Sequence, residues 1–153
     1  MSAEARLQQL GITLPEPPAA AGLYSPVVQT GQLLFVSGQV PVVGGKLAAQ
    51  GKCGAEISVE QGQELARICT VNALAAVRQH LGTLDRVSRV VRVGGFVASA
   101  PGFTMQPRVV DGASQLLIDV FGDAGRHARA AVGVAELPLG VPVEVEFLFE
   151  VQV

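Results

Sequence analysis

Residues Val143 to Val153 alternate without a break. Val143, Val145, Phe147, Phe149, Val151 and Val153 fall on one side; Glu144, Glu146, Leu148, Glu150 and Gln152 fall on the other. A period of two over this length is the mark of a β-strand with one face in a core. The other face mixes glutamates with Leu148, so it meets solvent or another subunit. Whatever else the chain builds must supply a sheet around this strand and a cover for its apolar side.

Two segments read as that cover. Ser58-Val59-Glu60-Gln61 has the form of a capping box, in which a Ser hydroxyl and a Gln side chain satisfy free amides at a helix start. Leu65, Ile68, Cys69, Ala73, Ala76 and Val77 follow at helical spacing, and Gly82 stops the run. A second helix is predicted from Pro107 to Phe121. Its proline suits an early helical position, and Val110, Ala113, Leu117, Val120 and Phe121 form its stripe. A short helix is predicted over Ala3–Leu10, followed by a Pro/Ala linker from Pro15 to Ala21. Residues 1–16 therefore read as an N-terminal extension and 17–153 as the domain.

The remaining strands are Val27–Thr30 and Leu33–Ser37, a hairpin around Gly31-Gln32 ended by Gly38, then Val87–Val97 and Ala130–Ala135. Gly94-Gly95 inside the third of these marks a bulge or a close backbone approach. Pro41 to Gly54 reads as loop. The predicted order is strand, strand, helix, strand, helix, strand, strand: an α+β chain with two helices on one face of a mixed sheet.

Composition narrows the function. The 153 residues carry 11 Lys and Arg against 13 Asp and Glu, a net charge of −2, which disfavours a sequence-independent nucleic-acid binder. Charged residues make up only 16% and hydrophobic ones 49%, which points to subunit contacts. Cys53 and Cys69 are isolated, so a reducing compartment is expected. No run has signal-peptide character or approaches the roughly 20 apolar residues of a membrane span. These features lead to the expectation of a soluble, cytoplasmic protein. His80 and His127 lack ligand spacing, so no metal is expected.

Arg129, in Arg126-His127-Ala128-Arg129, stands at the mouth of an apolar run, where a guanidinium suits a bidentate carboxylate clamp or is simply solvated. Glu144 could orient or deprotonate a water, or be a solvated strand residue. Tyr24, the only tyrosine, reads as a packing residue with its hydroxyl at the surface.

Three blocks carry a resemblance to a known family. They are Gly22–Pro26 with Leu34–Pro41; the helix containing Asn72 leading into Val87–Val97; and Ala128–Pro138 ending in Val143-Glu144-Val145-Glu146. In these the chain resembles the RidA/YjgF family, also called endoribonuclease L-PSP. The resemblance implies a chorismate-mutase-like fold and a homotrimer whose sheets form a central barrel with clefts between subunits. It implies a hydrolase that deaminates reactive enamines and imines, such as 2-aminoacrylate and 2-iminopropanoate, without a cofactor. Arg129 would hold the substrate carboxylate and Glu144 the attacking water. Tyr24 would stand in the cleft wall, and Ser37, Gly38 and Ala131 would complete the pocket. The same resemblance selects Glu144 over Glu146 as the carboxylate beside the head of the Arg129 strand. Pro101 stands where many members carry Asn, and Ala131 where Cys, Ser or Thr is common. A non-catalytic small-acid binder or a holdase is the other class of function, and a ribonuclease the weakest.

Overall fold

The computed structural model describes residues 1–153. The elements are α1 (Ala3–Gln9), β1 (Val27–Thr30), β2 (Leu33–Gln39), β3 (Val42–Val43), β4 (Lys46–Leu47), α2 (Val59–Leu81), β5 (Val87–Ala98), α3 (Gln106–Phe121), β6 (Ala128–Val134) and β7 (Val143–Val151). Five strands form one sheet in the order β1-β2-β7-β5-β6, antiparallel except for the β5–β6 pair. β5, α3 and β6 make the crossover that a parallel pair requires. α2 and α3 lie side by side on one face, giving the α+β architecture.

The alternating strand is the hub. β7 pairs with β2 on one side and β5 on the other. Val143, Val145, Phe147, Phe149 and Val151 point under the helices into a cluster of 29 buried residues. Both helices begin and end as their sequences dictate. Ser58 Oγ accepts from the Gln61 amide at 3.1 Å while Gln61 Oε1 accepts from the Ser58 amide at 2.8 Å, and Gly82 closes α2 at φ +86°. Pro107 opens α3 and Gly122 ends it. Where α2 and α3 meet, Gly112 lies directly against the Gln63 carbonyl, leaving no room for a β-carbon. The Gln63 side chain donates to the Arg108 carbonyl at 2.8 Å, tying the pair again.

α1 packs into the same core through Leu7, which is 1% exposed. Its Glu4 pairs with Arg78 of α2 and accepts from the Leu84 amide at 2.9 Å.

Three details differ from the sequence reading. β2 does not stop at Gly38: it runs to Gln39 through a bulge between Val36 and Gln39. Within 41–54, β3 and β4 form a small hairpin around Gly44 and Gly45, both at positive φ (58° and 79°), as a primed turn demands. Gly94 and Gly95 are places of close approach and not a bulge. Glu146 lies over the first and Val110 over the second, and the bulges of β5 fall earlier, between Val87 and Arg92.

The face away from the helices is uncovered. Val28, Phe35, Leu148 and Arg92 share one row across it, and Glu144, Phe96 and Val132 another. Val28, Phe35 and Val132 are 54%, 47% and 46% exposed. No helix is long and apolar enough to cross a membrane.

Candidate functional site

The residues singled out in the sequence fall into two groups. Register decides which. Val93 of β5 pairs with both Phe147 and Arg129, so Arg129 shares the helix-side face with the core. Phe96 pairs with both Glu144 and Val132, which places Glu144 on the uncovered face. Within one chain the two therefore stand on opposite sides of the sheet, three residues apart along β5, with β5 between their strands. The expectation that Glu144 sits beside the head of the Arg129 strand does not hold inside a single copy.

Arg129 is built into the edge of the sheet by α3. Its Nη1 donates to Asp111 Oδ1 at 2.8 Å and to Ser114 Oγ at 3.1 Å; its Nη2 donates to the Pro107 carbonyl at 3.2 Å. Three of the five donors of a guanidinium are thus held by the chain, leaving Nε–H and one Nη2 hydrogen. The side chain is 23% exposed and that of Asp111 59%. Ala131, one pleat further on, packs against the core.

Ser114 is held in turn by His127. His127 Nδ1 lies 2.6 Å from the Gly125 carbonyl, which can only accept, so Nδ1 bears the proton. Nε2, 2.9 Å from Ser114 Oγ, then accepts the hydroxyl hydrogen and leaves the oxygen's lone pairs for Arg129. Burial, together with the nearby Arg129, draws the His127 pKa down against the Gly125 hydrogen bond, which agrees with a neutral ring. Nothing in the sequence singles out Asp111 or Ser114. Their three-residue spacing on a helix puts them on one side, but nothing local shows that this side meets Arg129.

The second group lies around the first half of β7, on the uncovered face. Glu144 bends over Gly38, filling the space a β-carbon there would take. No cation pairs with it. Burial and the neighbouring Glu146 raise its pKa. Glu146 instead leans over Gly94 toward Arg92, 3.7 Å away. Ser37 donates through Oγ to the Ser25 carbonyl at 2.7 Å, and its amide to the Pro26 carbonyl at 2.9 Å, which ties the Tyr24–Ser25 segment to β2. Tyr24 is 52% exposed and its hydroxyl accepts from the Ala21 amide at 3.3 Å. The cysteines are core residues: burial lifts the Cys53 thiol to about 11 and that of Cys69 higher than its usual range. No group of His, Cys, Asp or Glu is arranged to hold a metal ion.

A mixed sheet backed on one face by two helices matches the chorismate-mutase-like fold. The chain belongs to the YjgF family. Residues 4–151 match the model described as "YjgF/chorismate mutase-like, putative endoribonuclease". Protein TCP17 of Trypanosoma cruzi is 49% identical, over 95% of this chain and 92% of its own. The crystal structure of Atu1372 from Agrobacterium tumefaciens, a protein of unknown function, has a TM-score of 0.91 at 44% identity, covering 98% of this chain and 92% of that one. A "putative endoribonuclease" of Shewanella oneidensis MR-1 has a TM-score of 0.95 at 37% identity, covering 99% and 100%.

Proposed function

We propose that the protein hydrolyses reactive 2-imino acids, and the enamines that tautomerise to them, to 2-keto acids and ammonia. The observation that carries this reading is Arg129: a guanidinium fixed by Asp111, Ser114 and Pro107, with two donors left over. Those donors suit a small carboxylate. An iminium carbon next to that carboxylate is already electrophilic, so catalysis needs placement of a water more than strong activation. Glu144, half-buried and unpaired, would accept the water's proton as oxygen attacks the imine carbon. The resulting carbinolamine expels ammonia and leaves the keto acid. Burial holds the Glu144 pKa up, nearer to the working pH of a general base.

Arg129 and Glu144 lie on opposite faces, so the site takes Arg129 from one copy and Glu144, with Tyr24, Ser37 and Gly38, from another. The uncovered face with Val28, Phe35 and Val132 is the surface through which copies would meet, and a homotrimer closed around it fits the family.

A panel of imino acids made in situ by an amino-acid oxidase tests the activity. Faster decay of the imine with the protein than without it, abolished in Arg129→Ala, is the expected result. A second reading, a binder of small acids without turnover, draws on the same Arg129. Tight binding of a keto acid with no acceleration would favour it. The net charge of −2 gives little help to a ribonuclease.

A further inference from the structure

Away from both groups, a cavity of about 620 Å³ opens between α2, the β3–β4 hairpin and the proline-rich segment after α1. Its size is that of a small-molecule pocket. Pro15, Pro17 and Pro18 form one wall, Val43 another, and Ile68 and Val71 the floor along α2. Asn72 also lines it, although the residue is only 2% exposed. Its Nδ2 donates to the carbonyls of Val42 at 3.0 Å and Val40 at 3.4 Å. Two carbonyls can only accept, so this end of the amide is the nitrogen and the other is the oxygen. That oxygen has no partner in the chain and is open to the cavity that the residue lines. The one charged residue of the lining is Glu16, exposed at the rim, and no cationic side chain is present.

We infer that this cavity is a binding site for a small amphiphilic amine, its hydrocarbon on the Pro, Val and Ile walls and its ammonium directed to the Asn72 oxygen and Glu16. The exposed Thr13 offers a hydroxyl that can donate or accept, whereas the Asn72 oxygen and Glu16 only accept, so a donor is the polar end that all three can receive. A carboxylate of the same length would meet a buried acceptor and a like charge. The cavity thus selects the opposite charge from the one Arg129 receives.

Calorimetric titration of the full chain with hexylamine, hexanoate and hexanol tests this. Hexylamine should bind, and hexanoate should bind at least about tenfold more weakly, the difference expected when a charge-assisted hydrogen bond is replaced by repulsion. Val43→Trp, at a position 58% exposed, should fill the cavity and abolish hexylamine binding without unfolding the chain. Glu16→Gln should weaken it by about threefold and remove its salt dependence, as for an exposed charge. Arg129→Ala should leave it unchanged, so the result stands apart from the imine reading. Equal binding of hexanoate, no binding of hexylamine, or binding that survives Val43→Trp would overturn the inference.

Discussion

Glu144 of β7 occupies the space above Gly38 of β2, and the two cannot both carry a side chain in their present places. The carboxylate is therefore positioned by an absence on the next strand and not by a cation. A glycine at residue 38 needs no unusual backbone to be required there; the requirement is room.

Gly38→Ala should displace the Glu144 carboxylate while leaving Arg129 untouched. The turnover number for imino acids should fall about tenfold or more with little change in keto-acid binding. Equal losses in binding and turnover would mean that residue 38 acts on the carboxylate end.

Glu144 and Glu146 should separate in kinetics. Glu144→Gln should lower the turnover number by about 10²–10⁴-fold, the range for a general base. Glu146→Gln should alter it little, and loss of its half-exposed pair with Arg92 costs about 1 kcal/mol at most. Steady-state rates with the assembly state checked by light scattering read both.

The pH dependence has a definite sign. Burial and Glu146 raise the Glu144 pKa, so the folded chain binds that proton more tightly than the unfolded one. Its contribution to stability is full below the unfolded value and is lost as pH rises through the folded one. At neutral pH the ionised Glu144 is thus a burden, and Glu144→Gln should raise Tm there, a gain that vanishes in acid. Activity runs the other way. Its acid limb should lie above the ordinary glutamate range of about 4.3 and disappear in Glu144→Gln.

Arg129→Lys keeps the charge but not the planar fork, and it cannot satisfy Asp111, Ser114 and Pro107 together. It should lose at least about 10–100-fold in kcat/KM, and Arg129→Ala should abolish the acceleration. Parent-level rates in both variants would remove Arg129 from the site.

Leu7 tests whether the first residues stabilise the fold. It is 1% exposed in the main core, so Leu7→Ala should cost about 2–5 kcal/mol in a denaturant titration.

What the sequence made legible follows from range. The capping box at Ser58, the stops of the two long helices at Gly82 and Gly122 and the alternation of β7 are local patterns, and the structure has each of them; the stop expected at Gly38 is overrun by β2. The β3–β4 hairpin hid in a glycine-rich stretch whose strands have two residues each, too few to show a period. The central place of β7 depends on pairings between distant segments that no single stretch encodes. The site suffered most. Only the family resemblance singles out Arg129, Glu144 and Gly38, and which face the first two take depends on the register of β5 with both β6 and β7. Asp111 and Ser114 became visible only when α3 was laid across that edge.

The contact of Gly112 with the Gln63 carbonyl reaches further than the helix pair itself. At that point the helices touch through main chain, whose dimensions no substitution can alter, and Asp111 is the adjacent residue. The holder of Arg129 is thereby referenced to a fixed origin. Repacking of Val, Leu or Ile elsewhere leaves that main-chain contact, and with it the setting of Arg129, in place. Gly112 itself has no such freedom: even one added methyl would swing Asp111 away and detune Arg129 from a distance.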